Sequence, residues 1–325
     1  MKQILVSDIH LGLRRRAGTT PTSTVAYESL QFEALDSTIT DANDLGLPVV
    51  VLGDIFDKPT VEYSVLWRAV ESFSRVKYGL TLVKGNHDIG GDKERLTAFD
   101  MLCLLVPGAT GVSEPTLSGN YTIVPHAHNQ DIFDEWLTQA SGTILTHANF
   151  DNFFAVDKDH SLNITPEQAQ KFTALISGHE HERRQVGNVT MLGSLLPCNI
   201  GEAKTAKGYH IFNSATGDLE FIEVWSPQDS YIEINWADLP CDTDAEFIRV
   251  NGEAEFSQGA QVIQAIAEFR KTSGAYFVSN SVKVGDLVLG ELDDVEADLD
   301  SFNPLEAFWS ILGEESAMKI KEIVR

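Results

Sequence analysis

The chain has 325 residues, 43% of them hydrophobic, so it is long enough to bury one large core or two ordinary ones. Its three cysteines lie far apart without C-x-x-C spacing, which argues against a zinc knuckle or a disulfide framework and favours a reduced, cytosolic compartment. No apolar run approaches the roughly 20 residues of a transmembrane helix, and the chain starts with a strand pattern, so neither a membrane segment nor a signal peptide is expected.

The charge is strongly acidic and unevenly distributed. The formal net charge is −24, of which −8 falls on residues 1–213 and −16 on residues 214–325. Binding to duplex nucleic acid relies on Lys and Arg that neutralise phosphates. Any role on nucleic acid must therefore use a local basic patch, metals or a partner protein, and the alternative is a solvated, solubility-promoting surface.

Short β-branched runs alternate with helical patterns up to about residue 227, which predicts a layered α/β or α+β core. The predicted strands are Gln3–Ser7, Pro48–Leu52, Leu80–Lys84, Tyr121–Val124, Gly142–Thr146, Ala174–Ser177, Val189–Leu192, Tyr209–Phe212 and Glu220–Val224. The predicted helices are Tyr27–Ala42, Glu62–Val76, Lys93–Leu105, Phe133–Ala140 and Pro166–Lys171. On the second helix, Trp67 and Phe73 are expected in the core.

A boundary is predicted near Pro227, which divides the chain into domains over residues 1–227 and 228–290. The second is a small α/β module with the strands Tyr231–Asn235, Glu246–Asn251 and Tyr276–Val284 and the helix Ala260–Lys271.

Residues 291–325 begin as an acidic linker and continue as a predicted helical tail. Asn303 is a helix N-cap with Pro304 at the first helical position. An apolar stripe then follows at helical spacing, formed by Leu305, Phe308, Trp309 and Leu312. Because so short a helix is marginal alone, the stripe either packs back on the module before it or docks on a partner.

Five of the predicted strands end in residue types that bind metals. The motifs are Asp8-Ile9-His10, Gly53-Asp54-Ile55-Phe56-Asp57, Gly85-Asn86-His87-Asp88, Thr146-His147-Ala148-Asn149 and Gly178-His179-Glu180-His181. Side chains at strand ends on one edge of a sheet converge in space. The glycines before Asp54, Asn86 and His179 are expected to permit sharp turns.

The candidate donors are carboxylate, imidazole and one carboxamide, without a thiolate. This mixture suits Mn²⁺, Fe²⁺ or Zn²⁺ better than Mg²⁺ or Ca²⁺. Seven candidates exceed the roughly six donors that one cation takes. Two cations about 3.5–4 Å apart, sharing a carboxylate, accommodate them and suit phosphoryl displacement.

In this order the motifs resemble those of the calcineurin-like metallophosphoesterases, over roughly residues 1–212. The resemblance implies a sandwich of two mixed β-sheets flanked by helices, followed here by the α/β cap and the helical tail. The metal ligands that it implies are Asp8, His10 and His181 for one cation, Asn86, His147 and His179 for the other, and Asp54 as the bridge.

The resemblance also implies roles beside the cations. His87 would stabilise the transition state or protonate the leaving oxygen, which suits an imidazole near working pH. Asp57 and Asp88 would orient the ligands and tune their basicity. His126 and His128 match no ligand motif and are expected in a loop near the site, while His160 and His210 are expected to be structural.

Within the family, the chain is most similar to the SbcD-type (Mre-type) DNA repair nuclease subunits of bacteria and phages. The similarity is carried by His10-Leu11-Gly12, Gln31, Phe56, Pro59-Thr60, Leu192-Gly193-Ser194, Glu202 and Lys207-Gly208-Tyr209. It implies a DNA exonuclease or endonuclease with two divalent cations, Mn²⁺ foremost, and an SbcC-like coiled-coil ATPase docked on the C-terminal helices. It is also compatible with a homodimer.

Two alternatives stay open on the sequence. One is a stand-alone phosphatase or phosphodiesterase acting on small nucleotides or phosphoproteins, and the other is a non-enzymatic scaffold that binds metal. Arg14-Arg15-Arg16 form part of an insert longer than the family pattern, which would hold a phosphate backbone or be a solvated loop.

Overall fold

The computed structural model describes residues 2–13, 21–90, 95–153, 161–285 and 287–288. The insert beginning at Arg14, the side chain of His160 and the tail over 291–325 lie outside these residues, so what the sequence predicts for them stays a prediction.

Strands and helices alternate along the described chain. The strands are β1 (Lys2–Val6), β2 (Val49–Leu52), β3 (Leu80–Val83), β4 (Ala109–Val112), β5 (Thr116–Ser118), β6 (Tyr121–Val124), β7 (Thr143–His147), β8 (Asn149–Phe150), β9 (Asn163–Ile164), β10 (Ala174–Gly178), β11 (Arg184–Val186), β12 (Val189–Met191), β13 (Lys207–Asn213), β14 (Asp218–Trp225), β15 (Tyr231–Asn235), β16 (Phe247–Asn251), β17 (Glu253–Ala254), β18 (Phe277–Asn280), β19 (Lys283–Val284) and β20 (Leu287–Val288). The helices are α1 (Pro21–Leu45), α2 (Tyr63–Phe73), α3 (Ala98–Leu105), α4 (Gln130–Gln139), α5 (Pro166–Ala169), α6 (Pro227–Ser230) and α7 (Gly259–Thr272). Among the described helices, none has both the length and the apolar character needed to cross a membrane.

Two six-stranded sheets form the main body. One has the order β14-β13-β1-β2-β3-β4 and the other the order β11-β12-β10-β7-β6-β5. In the first sheet β1, β2, β3 and β4 are parallel, and in the second β12, β10, β7 and β6 are parallel, while the remaining pairs are antiparallel. The predicted α/β fold with two mixed sheets and helices is therefore confirmed.

Alternation along the central strands explains why the two sheets face each other. Leu5 and Val50 lie in a core cluster together with Leu145 and Ile176 of the second sheet. Their neighbour Ile4 belongs instead to the cluster packed against the helices. Because successive side chains on a strand point to opposite faces, both faces of β1 and β2 are buried, which is typical of strands that read as continuous apolar runs.

The sequence expectation for Trp67 is wrong. Phe73 of α2 is 1% exposed, as expected, whereas Trp67 is 61% exposed. The buried positions Val65, Ala69 and Phe73 recur every four residues, so they occupy one face of the helix. Trp67 lies two residues from that stripe and therefore projects to the opposite face.

The module after residue 227 packs onto the main body through aromatic rings. Its sheet has the order β15-β16-β18, with all pairs parallel. Phe247 and Phe277 stack with centroids 4.9 Å apart, and Tyr27 of α1 lies 5.0 Å from Phe277. Trp225 lies 5.3 Å from Phe247. The next residues on these strands, such as Ile248, face α7 instead, so this small sheet is buried on both faces.

His210 makes folding sensitive to acid. It is 3% exposed on β13, its ring lies 5.3 Å from that of Phe221, and its Nδ1 has no hydrogen-bond partner among the described residues. Burial, together with the charge of Arg183, lowers the pKa of His210 to about 4. Because the folded pKa is below the ordinary value of 6.5, His210 takes up protons more readily in the unfolded chain.

We therefore expect the full stability near neutral pH and a loss as the pH falls from about 6.5 towards 4. For His210 alone the loss between pH 7 and pH 5 is about 2 kcal/mol. Urea unfolding of wild type and His210→Phe at both pH values tests this, with the exposed His128→Phe as control. An equal loss in wild type and His210→Phe would contradict the assignment.

Candidate metal centre

All seven predicted metal ligands come together where strands of the two sheets end. Because β1, β2 and β3 are parallel neighbours, as are β7 and β10, their carboxyl ends meet at one edge. The first sheet supplies Asp8 and His10 after β1, Asp54 after β2 and Asn86 after β3, and the second sheet supplies His147 at the end of β7 and His179 and His181 after β10.

The first ligand group consists of Asp8, His10 and His181. The Nε2 atoms of His10 and His181 lie 3.1 Å apart, and His181 Nε2 lies 3.7 Å from Asp8 Oδ1. The group is buried on the His10 and Asp8 side and half-buried at His181. Its donors thus point at one small volume that is reached from the His181 side.

The second ligand group consists of Asn86, His147 and His179. Asn86 Oδ1 lies 3.0 Å from His147 Nε2 and 3.0 Å from His179 Nδ1. Asp54 stands between the two groups, since its Oδ2 is 3.2 Å from His147 Nε2 and 3.8 Å from His10 Nε2. This is the position that a bridging carboxylate requires.

Hydrogen bonds from one sheet to the other fix the two groups relative to each other. His147 Nδ1 lies 2.7 Å from the Leu52 carbonyl oxygen, so its Nε2 is directed to the site. The His179 backbone N–H donates to the Asp8 carboxylate at 3.0 Å, and Ser7 Oγ donates to the same carboxylate at 2.5 Å.

Four of the ligands sit in backbone conformations that favour glycine. The φ angles are 52° at Asp8, 50° at His10, 51° at Asp54 and 81° at His179. Such angles cost on the order of 1–3 kcal/mol at a residue with a side chain and persist only where the surroundings enforce them. Because the strained residues are themselves ligands, we infer that these loop conformations serve to place the ligands and not to stabilise the fold.

Of the three glycines before Asp54, Asn86 and His179, one has the expected role and two have a different one. Gly53 does adopt a φ of +82°, as a sharp turn requires. Gly85 and Gly178 do not, and their need for glycine is spatial: a Cβ at Gly85 would lie 2.2 Å from Asp54 Oδ1, and one at Gly178 would lie 1.9 Å from Ser7 Oγ. The expectation of sharp turns is thus wrong at these two positions, where close approach of a side chain is the reason.

His87 lies beside the two groups, half-buried, with its ring centroid 4.8 Å from that of His10. Its Nδ1 is 2.6 Å from the Asp57 carbonyl oxygen, and its backbone N–H donates to Asp54 Oδ1 at 2.9 Å. The Asp57 carbonyl group and the Asp54 carboxylate thus fix the position and the ring orientation of His87.

Asp57 and Asp88 support the site in different ways. The Asp57 side chain approaches His10 Nδ1 at 3.7 Å, while its carbonyl orients His87. The Asp88 carboxylate accepts hydrogen bonds from the backbone N–H groups of Gly85 and Phe56, and so joins two ligand loops. Burial, reinforced by the Asp54 charge, raises the pKa of Asp88 to about 7.

Burial sets the protonation of the imidazoles. It lowers the pKa of His10 and of His179 well below the ordinary value, so both rings are neutral, the form that binds metal. At Asp54 burial acts to raise the pKa, but the adjacent His147 outweighs it and holds that pKa well below the ordinary value. The Asp54 and Asp8 charges outweigh the effect of burial at His147 and raise its pKa to about 9.

Three further residues lie against the ligands: His126, which the sequence placed in a loop near the site, and Ser161 and Cys198, which it did not place there. Ser161 Oγ lies 3.0 Å from His179 Nε2, and His126 Nδ1 lies 3.2 Å from the His147 carbonyl oxygen. Cys198 groups with His10 and His181 among potential metal-binding side chains. No spacing signal identifies these residues, because each reaches its ligand only through the fold.

A family model for calcineurin-like phosphoesterases matches residues 1–183, which is more than half of the chain. The chain belongs to the calcineurin-like phosphoesterases. Members of this family are metal-dependent hydrolases of phosphoesters that use two divalent metals.

Two solved structures similar to this phosphoesterase are an archaeal phosphodiesterase and the protein TT1561 of Thermus thermophilus. The first is 16% identical and covers 69% of this chain and 100% of its own, with a TM-score of 0.39. The second is 13% identical and covers 69% of this chain and 99% of its own, with a TM-score of 0.42. Among curated proteins the chain has no match.

The residues present fit two divalent cations. In the first group, imidazole nitrogens of His10 and His181 lie 3.1 Å apart with an Asp8 carboxylate oxygen 3.7 Å from His181, which is a mixed nitrogen and oxygen donor set suited to a divalent cation. In the second group, Asn86 Oδ1 lies 3.0 Å from nitrogens of both His147 and His179, which gives a donor set of the same kind. The first and second ligand groups would each hold one cation, with Asp54 shared.

Asp54→Asn should abolish hydrolysis and lower the metal content towards one cation per chain or fewer, because an amide loses the charge shared between both groups. Metal content by mass spectrometry, together with turnover of an aryl phosphodiester, measures both effects. Asp44→Asn makes the same chemical change at an exposed position and should alter neither. Two metals and wild-type turnover in Asp54→Asn would exclude a bridging role.

Proposed function

We propose that this phosphoesterase cleaves DNA phosphodiester bonds with Mn²⁺ as its cation. In this proposal it is the exonuclease or endonuclease subunit of an SbcC/SbcD-like complex in DNA repair, recombination or replication. The proposal starts from the sequence features similar to SbcD-type nucleases, foremost Gln31, Glu202 and Lys207.

The observation that carries the proposal is that all three residues make hydrogen-bond contacts to His10 or His181 of the first ligand group. Gln31 Nε2 donates to the His10 carbonyl oxygen at 2.6 Å, and Lys207 Nζ donates to the His181 carbonyl oxygen at 2.6 Å. Glu202 Oε1 lies 2.9 Å from His181 Nδ1.

Burial makes these contacts informative. Gln31 is 1% and Lys207 2% exposed, and such groups are costly to bury unless they are hydrogen-bonded. Gln31, Glu202 and Lys207, which lie far apart in the sequence, thus contact the same two histidines. Because the three residues meet at one site, their similarity to SbcD-type nucleases is better explained by a shared site than by chance matches at separate positions.

Divalent cations bound to the two groups would lower the pKa of water and stabilise charge on the phosphoryl oxygens. The chain itself supplies proton transfer and orientation. His87 Nδ1–H donates to the Asp57 carbonyl oxygen, so in its protonated form the imidazolium would give the proton on Nε2 to the leaving oxygen and remain neutral with its proton on Nδ1. The hydrogen bond from the His87 backbone to Asp54 fixes that imidazole relative to both ligand groups.

A stand-alone phosphatase or phosphodiesterase for small nucleotides or phosphoproteins is the second candidate. It is favoured by the net charge of −24, which repels a DNA backbone. In the nuclease proposal the partner ATPase supplies the grip on DNA that this acidic chain lacks.

His87→Asn should cut Mn²⁺-dependent cleavage by about 10²–10⁴-fold, the usual scale for losing acid–base assistance, with metal content and thermal stability nearly unchanged. The assay uses linear duplex DNA, single-stranded circular DNA and an aryl phosphodiester, and His128→Asn is the exposed control. Cleavage of the aryl ester but neither DNA, also with the ATPase present, would contradict the nuclease role. A halved metal content would instead make His87 a ligand.

The proposed partners are the DNA substrate, an SbcC-like ATPase docked on the C-terminal helices, and a second copy of this chain. For the homodimer, support comes from apolar side chains on the neighbouring helices α2 and α3. Tyr63 is 91%, Trp67 61% and Leu104 70% exposed. Tyr63 and Trp67 lie one helical turn apart on α2, and exposed apolar side chains that adjoin in this way are the kind that an interaction surface would bury.

Deletion of residues 302–325 should spare cleavage of the aryl phosphodiester and abolish co-purification with a co-expressed SbcC-like ATPase, because the predicted apolar stripe is the docking element. Trp309→Glu, on that stripe, should also lose the ATPase, whereas Glu314→Gln should keep it. Size-exclusion chromatography with light scattering on the same samples reports the homodimer. A truncated protein that unfolds or aggregates would show that the tail belongs to the core.

A further inference from the structure

A thiol stands at the first ligand group. The metal-binding atoms that His10, His181 and Cys198 offer lie within 4.8 Å of one another. Cys198 is only 5% exposed and follows β12 in the loop that leads to Glu202. The sequence predicted no sulfur donor, so this group differs from the expected carboxylate, imidazole and carboxamide set.

Glu202 fixes the backbone of Cys198 and the ring of His181 relative to each other. The Cys198 backbone N–H donates to Glu202 Oε2 at 2.8 Å, and Glu202 Oε1 lies 2.9 Å from His181 Nδ1. One buried carboxylate therefore fixes the cysteine backbone and the ring orientation together. With Nδ1 engaged, His181 turns Nε2 towards His10 Nε2, which lies 3.1 Å away.

Sulfur changes which cation such a group prefers. Soft thiolate ligands select cations such as Zn²⁺ and Cd²⁺, whereas Mn²⁺ and Mg²⁺ prefer oxygen. With Cys198 added to Asp8, His10 and His181, the group would combine thiolate, imidazole and carboxylate, which are the three kinds of ligand that Zn²⁺ takes in proteins. Coordination requires the thiolate, so the Cys198 proton leaves to solvent when the sulfur–metal bond forms.

We propose that Cys198 is an additional ligand for the cation held by His10 and His181, and that its sulfur raises the affinity of this position for soft divalent cations while leaving its affinity for Mn²⁺ nearly unchanged. The second ligand group has no such donor among the described residues, so the two positions differ in their cation preference. The proposal concerns the cation and does not depend on whether the substrate is DNA.

Cobalt reports sulfur ligation directly. Metal-free full-length protein titrated with Co²⁺ should show a thiolate-to-cobalt charge-transfer absorption in the near ultraviolet. Cys198→Ser should lose that absorption and keep the visible bands of cobalt bound to histidine. Cys198→Ser should also bind Cd²⁺ about 10- to 100-fold more weakly, the scale seen when a group supporting a metal is removed, with little change for Mn²⁺.

The Cys103→Ser/Cys241→Ser double variant makes the test independent of how well Cys198→Ser folds. Cys198 is then the sole thiol in the chain, since the sequence has three cysteines. A retained charge-transfer band supports the proposal. Visible cobalt bands without charge transfer in this variant or in wild type overturn it, as does a band that persists in Cys198→Ser.

Discussion

Buried carboxyl groups are the constraint on which the site depends. Asp8, Asp54 and Asp88 are each 1% exposed or less, within the space where the two sheets meet. Burying a carboxylate is costly unless opposite charge or hydrogen bonds compensate for it. His147 compensates Asp54, and backbone N–H groups compensate the other two.

These compensating amides explain the strained loops. The His179 N–H points at the Asp8 carboxylate at a position where the backbone φ is 81°, and Asp8 itself has a φ of 52°. Close approach of neighbouring loops at the same edge leaves no room for a Cβ at Gly85 and Gly178. The buried carboxyl groups, the strained φ angles and the glycines thus all belong to the same set of loops at the strand ends. Binding of two cations to these loops would compensate the carboxylates further.

The central strands were predictable because both of their faces are buried. Val49–Leu52 is a continuous apolar run with every residue buried, so sequence and burial agree. The strands β4, β5 and β11 were missed, and all three lie at sheet edges with mostly exposed or half-exposed residues. An edge strand depends on its neighbour for pairing and leaves little apolar pattern in the sequence.

The sequence predicted where helices lie better than it predicted their first residues, because side-chain capping determines where a helix begins. α3 begins at Ala98 rather than Lys93, since Thr97 and Asp100 form a capping box. α4 begins at Gln130, three residues before the predicted start, because Asn129 caps it. The ligand motifs were recognisable since each follows its own strand, whereas Cys198 lies seventeen positions beyond His181 and approaches it only through the Glu202 loop.

The ring contacts of Phe247 and Phe277 bear on how the molecule unfolds. These side chains belong to the same apolar cluster as Tyr27 and Trp225, so the cap residues complete the main core instead of resting on a polar surface. Detaching the cap would open that cluster to water at a cost of about 1.5–3 kcal/mol for each large side chain exposed. The stability of the cap is therefore coupled to that of the main body. Separation of the two at the aromatic cluster has a high free-energy cost, so this interface is not expected to act as a hinge.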